Sequence, residues 1–277
     1  DGWSGALSGT VTPQSLTMNS NKSVTATFSQ QTIPQPTGIV GFAAVAGLGV
    51  STTTGGAGGR VVTATNATQL KEYMDSNETL IIYVSGTIDL GGSTTALRSN
   101  KSLLGLGNNA RIIRGGLELY KRSNIIIRNI TFEDSPDDCL KVNQVTHHLW
   151  VDHCTFTDGA VADPEGSNHD GLFDITRESS FITISYCLFL NHAKTILIGH
   201  SDGATADAGD LKVTLHHNWF NGTRSRHPRV RFGEVHVFNN YYTNNAEYGV
   251  ASTCEADVVV EGNYFKSVPF PHACRLC

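Results

Sequence analysis

Apolar and polar positions alternate with a period of two at intervals along the chain. In Val213–Phe220 (VTLHHNWF) and Val235–Tyr242 (VHVFNNYY), aliphatic residues take alternate positions and an aromatic closes the run. Such alternation of β-branched and aromatic residues predicts strands. Aligned on the final aromatic, four more segments match: Ile125–Phe132, Leu149–Phe156, Ile182–Phe189 and Val258–Phe265. The aromatics fall at 132, 156, 189, 220, 242 and 265, at spacings of 24, 33, 31, 22 and 23 residues. The first column reads Ile125, Leu149, Ile182, Val213, Val235, Val258. The column two before the aromatic reads Ile130, Cys154, Cys187, Asn218, Asn240, Asn263.

Self-similarity at this period marks a repeat architecture. No helical periodicity fills the intervals, which argues against strand–helix repeats, and a WD-type propeller needs about 40 residues per blade. Each repeat has room for a coil of two or three short strands. The expected fold is therefore all-β, a parallel β-helix whose identical columns stack about 4.8 Å apart. Stacked Asn side chains can bond Asn in the next coil. Cys154 and Cys187 share that column, where parallel Cβ vectors place sulfurs poorly for a bridge. They are expected as buried free thiols.

Composition narrows the function. A net charge of −5 over 277 residues argues against a general nucleic-acid binder. The longest apolar run, Gly38–Val50, is too short and Gly-rich to span a bilayer. The chain begins at Asp1 with no signal-like leader, as a processed protein or a fragment would. Residues 1–30 are Ser/Thr/Asn-rich and read either as the remnant of a small β-rich repeat module or as a disordered arm. Residues 31–37 read as a Pro-containing linker, and 38–277 as the β-helix domain, with its C-terminus taken as incomplete. The Gly-rich run before Arg60 lacks a phosphate-loop ending and fits tight packing of a first coil. Asn66–Asp75 is a helix candidate with Asn66 as N-cap and Gln69 three residues on, placed to cover the open end of the stack. Leu80–Leu90 and Lys101–Leu106 read as the opening strands.

Charge then singles out one stretch. Arg224–Arg231 carries four arginines within eight residues. A solvated turn is the bland alternative, but clustered cations in an acidic chain focus anionic ligands. Second strands lie between the aligned segments, and they carry Asp138, then Asp170 and Asp174, then Lys194, then Arg226 and Arg231. These come from four successive coils, so acidic residues gather at one end of a face and basic residues at the other. A single Asp usually caps a turn. Three converging carboxylates suit a hard cation such as Ca²⁺.

Three motifs carry a family resemblance: Trp150-Val151-Asp152-His153; Asp170-Gly-Leu-Phe-Asp174-Ile175-Thr176 followed by Ile182–Ser185; and Arg226-His-Pro228-Arg-Val-Arg231. From about Gly38 onward the chain resembles a pectate lyase of the β-helix polysaccharide lyases. The resemblance implies a right-handed parallel β-helix, secreted and monomeric, with no nucleic-acid or membrane partner. It implies calcium-dependent β-elimination on polygalacturonate, the de-esterified form of pectin. It assigns calcium to Asp138, Asp170 and Asp174, the C5 proton to Arg226, and substrate carboxylates to Lys194 and Arg231. Arginine holds its proton above pH 12, so that last assignment of a base depends on the surrounding cations. Pro136 departs from relatives that carry a further Asp there, and Cys154 and Cys187 depart from an all-Asn column.

Other readings compete. A polygalacturonase would hydrolyse with paired carboxylates, and Asp137-Asp138 suggests such a pair, although neighbours on a strand point opposite ways. A pectin lyase would need no calcium. A β-helix adhesin would need no reason for Arg226 and Asp174 to coexist.

Overall fold

The computed structural model describes residues 2–11, 14–27, 38–159 and 169–275. It divides into two compact units, 1–35 and 36–277. In the first, Gly2–Gly5 pairs antiparallel with Val24–Thr27. The expected linker 31–37 lies outside the described residues.

The second unit is a parallel β-helix. Three sheets of nine, eight and eight strands run along it, every pairing between coils is parallel, and each coil contributes one short strand to each sheet in turn. The predicted columns are the register. Ile125, Leu149, Ile182, Val213, Val235 and Val258 pair in succession on the first sheet. On the second sheet the aromatic column stacks face to face from Phe132 through Phe156, Phe189, Phe220 and Tyr242 to Phe265, with ring centroids 4.4–5.2 Å apart. Stacking at the coil spacing buries these rings as one continuous core.

Each eight-residue segment is two strands rather than one. The fifth position is a corner in the left-handed conformation: Asn129, His153, Tyr186, His217, Asn239 and Gly262 have φ of 51–63°. That corner turns the chain from the first sheet to the second. Beside it the polar column forms a ladder. Asn218 Nδ2 donates to Asn240 Oδ1 and Asn240 Nδ2 to Asn263 Oδ1, each at 3.0 Å. Cys187 ends the ladder, its backbone N–H donating to Asn218 Oδ1 at 2.9 Å. Cys154 and Cys187 are free and buried.

The stack opens one coil earlier than expected, at Arg60–Ala64, which pairs with Leu80–Val84. Gly-rich sequence concealed this strand, and the glycines have a packing reason: a Cβ at Gly56 would lie 1.9 Å from the carbonyl oxygen of Leu80. Helix Ala67–Asp75 follows, and buries Leu70 and Met74 in the core at this end. Asn66 Oδ1 accepts from Gln69 N–H at 3.0 Å, whereas the Gln69 side chain accepts from Thr65 rather than from the N-cap residue. At the other end Phe270–Arg275 adds a last strand beside Tyr248–Thr253. No helix among the described residues is long and apolar enough to cross a membrane.

Candidate active site

The polar chemistry lies on the outer face of the third sheet. Strands Leu140–Asn143, Phe173–Ile175, Ile196–Ile198 and Arg229–Arg231 are consecutive neighbours there. Leu140, Phe173 and Ile196 point inward and are fully buried. Their neighbours Lys141, Asp174, Leu197 and Arg229 form one outward column. Just before these strands the ladder continues: Cys139 N–H donates to Gly171 O, Leu172 N–H to Lys194 O, and Thr195 N–H to Ser225 O, at 3.1–3.3 Å. The coils carrying Asp138, Asp170, Lys194 and Arg226 are therefore held in register.

The acidic end is compact. One carboxylate oxygen from each of Asp137, Asp138 and Asp170 lies within 4.8 Å of the others. Asp174 faces the same space across Gly171, where an added Cβ would lie 2.5 Å from Asp138 Oδ1 and 3.0 Å from Asp174 Oδ1. Both of those oxygens are buried and accept no hydrogen bond among the described residues. Burial, opposed by Lys141 and helped by the Asp137 and Asp170 charges, raises the Asp138 carboxyl to about 6. Burial and the Asp138 charge raise Asp174 to about 8. Hydrogen bonding to Lys194 instead holds Asp170 below the usual carboxylate range. An unpaired buried carboxylate is costly, and a cation is its natural complement. These oxygens, lying together in a space that glycine keeps open, fit a hard cation.

Cations line the rest. Lys141 Nζ sits 2.7 Å from Asp137 Oδ2 and 3.4 Å from Asp138 Oδ2. Lys194 Nζ donates to Asp170 Oδ1 at 2.7 Å. Arg231 pairs with Asp202 through Nε and donates through Nη1 to Gly199 O at 3.0 Å. Among the described residues Arg226 forms no salt bridge, although Lys141, Lys194, Arg229 and Arg231 around it all do. Its positive charge nonetheless helps to lower Asp170 and offsets part of the rise of Asp174. The next residue anchors its loop. His227 is fully buried, donates from Nδ1 to Tyr248 O at 2.6 Å and accepts at Nε2 from Thr223 Oγ1 at 2.7 Å. Tyr242 of the aromatic column donates to His227 O at 3.1 Å.

Residues 14–274 match the family described as Pectate lyase. The chain belongs to the pectate lyase family. It is 40% identical over 226 residues to the pectate trisaccharide-lyase of Thermotoga sp. (strain RQ2), a match covering 76% of this chain and 59% of that relative's length. Among solved structures, a thermostable pectate lyase superposes with a TM-score of 0.75 at 30% identity, covering 81% of this chain and 76% of that one. The pectate lyase of Bacillus sp. N165 in complex with trigalacturonate gives 0.72 at 33% identity, covering 82% and 75%.

Within this pectate lyase fold the sequence motifs part company. Asp138, Asp170, Asp174, Lys194, Arg226 and Arg231 come to the third sheet, whereas Trp150, Val151 and Asp152 lie on the first, and His153 on the corner after it. There Trp150 Nε1 donates to Ser185 Oγ, which donates to Asp152 Oδ1, at 2.9 and 2.6 Å. Sequence reasoning missed Asp137 and Lys141. Strand alternation was used to set Asp137 aside, but Asp137 lies in a bend before its strand, where alternation does not hold. Lys141 was legible as the register partner of Asp174.

Proposed function

We propose that this chain is the β-helix of a secreted, monomeric lyase that cleaves polygalacturonate by calcium-dependent β-elimination. The observation that carries this reading is the pair of buried oxygens on Asp138 and Asp174, without a hydrogen-bond partner among the described residues, set beside a row of cations. Asp138, Asp170 and Asp174 would hold Ca²⁺, with Asp137 as a further oxygen donor. A calcium ion held there would supply positive charge to the substrate C6 carboxylate and to the enediolate-like charge that develops beside it. Lys194 and Arg231 hold the carboxylates of successive sugars and keep them in register with the coils. Arg226, which forms no salt bridge among the described residues, would take the C5 proton on a neutral guanidine nitrogen. The C5–H electron pair forms the C4–C5 double bond as the C4–O bond breaks, and the leaving oxygen takes up a proton from solvent water.

The carboxylate spacing disfavours inverting hydrolysis. Oxygens of Asp137, Asp138 and Asp170 gather within 4.8 Å, whereas an inverting hydrolase needs roughly 6.5–9.5 Å for its water. Incubation with polygalacturonate should yield products with the ultraviolet absorbance of an unsaturated uronate, and a chelator should abolish it. Reducing ends released without that absorbance would identify a hydrolase and overturn the reading.

A further inference from the structure

Asp170 is the most exposed of the three aspartates, with a side chain 58% exposed, and it lies outside any strand. Its carboxylate has to be aimed by its backbone. That backbone is held from inside the coil by His192, whose Nε2 lies 3.1 Å from the carbonyl oxygen of Asp170. The other ring nitrogen, Nδ1, lies 2.5 Å from Asp158 Oδ1. The His192 and Asp158 side chains are 0% and 2% exposed. A buried imidazole with one nitrogen on a carboxylate and the other on a carbonyl has no rotational freedom to spare.

The same residue reaches the basic loop. Arg224 N–H donates to His192 O at 2.9 Å and Ser225 N–H to Ala193 O at 3.1 Å. Two residues on, Lys194 grips the Asp170 carboxylate from the outside. The short segment 192–194 thus clamps Asp170 on both sides and joins it to the loop carrying Arg226.

We infer that His192, braced by Asp158, is a positioning residue that aims Asp170 into the cation site. This rests on the calcium reading above. Partners behind a metal ligand orient it, and their loss costs roughly 10–100-fold in metal affinity. The His192 side chain is fully buried and its nitrogens are taken by Asp158 and the Asp170 carbonyl, so its loss should act through Asp170.

The test is calorimetric titration of the substrate-free chain with calcium alone, with melting in chelator as the control for folding. His192→Ala should weaken calcium binding about 10–100-fold and raise the calcium concentration for half-maximal activity, with kcat largely recovered at saturating calcium. His192→Gln, whose amide can still donate to the Asp170 carbonyl, should restore most of the affinity. Should His192→Ala fail to fold, Asp158→Asn and His192→Gln decide. Asp158→Asn should weaken calcium binding in the same direction. Parent-like affinity in folded His192→Ala, or in Asp158→Asn if the alanine variant does not fold, would overturn the inference. A parent chain that binds no calcium would instead defeat the site reading itself. Binding by the parent that Asp174→Ala loses would uphold that reading whatever His192 does.

Discussion

Asp138 and Asp174, from successive coils of the third sheet, each turn a buried Oδ1 toward Gly171, and neither oxygen accepts a hydrogen bond among the described residues. Buried polar atoms are almost always satisfied, so two neighbouring exceptions point to a ligand.

Gly171→Ala tests that space directly. The added methyl carbon would sit 2.5 Å from Asp138 Oδ1 and 3.0 Å from Asp174 Oδ1. Calcium affinity should fall by roughly tenfold or more, as for other disturbed ligand shells, while the melt in chelator changes little. Titration calorimetry on the substrate-free chain reads this. Unchanged affinity would show that the cation does not use these oxygens.

Asn240→Leu tests the ladder. It removes the Oδ1 that accepts from both the Asn218 backbone N–H and Asn218 Nδ2, whereas Asn263 Oδ1 keeps the backbone N–H of residue 240. The expected loss is about 1–3 kcal/mol per unsatisfied group, measured by denaturant unfolding with chelator present. A variant as stable as the parent would mean that the ladder carries no weight.

His227 sets a pH dependence. Burial lowers its pKa to about 4 from 6.5, so it folds as the neutral ring. Between these values the unfolded chain binds a proton that the folded chain does not. Stability from this residue is therefore complete above about 6.5 and lost as pH falls toward about 4. His216, also lowered to about 4 by burial, adds to the same window. Without calcium, Asp138 and Asp174, raised to about 6 and about 8, act with the opposite sign in this window, so the residue is read by difference: in chelator, His227→Gln should lower the slope of unfolding free energy against pH by roughly one proton relative to the parent. An unaltered slope would mean that His227 is not buried neutral.

Much of the fold was legible because a β-helix repeats its columns, and six aromatics stacked on themselves leave a spacing in the sequence. The corners were not, since His153, Tyr186 and His217 take a left-handed position for which Asn or Gly gives the clearer signal. The motif residues of the site reached one face because their strands are consecutive. Asp137 was misread because strand alternation was applied to a bend. His192 left no local signal, for its two partners come from other coils.

The central claim is that the acidic end binds calcium and Arg226 moves the proton. Steady-state kinetics on polygalacturonate across a calcium titration, with Asp174→Ala and Arg226→Lys beside the parent, test it most directly. Asp174→Ala should regain part of its activity at high calcium by mass action. Arg226→Lys keeps the charge but loses the planar fork, so kcat should fall with little change in KM, and calcium should not rescue it. Near-normal kcat in Arg226→Lys, or no calcium response in Asp174→Ala, would contradict the account.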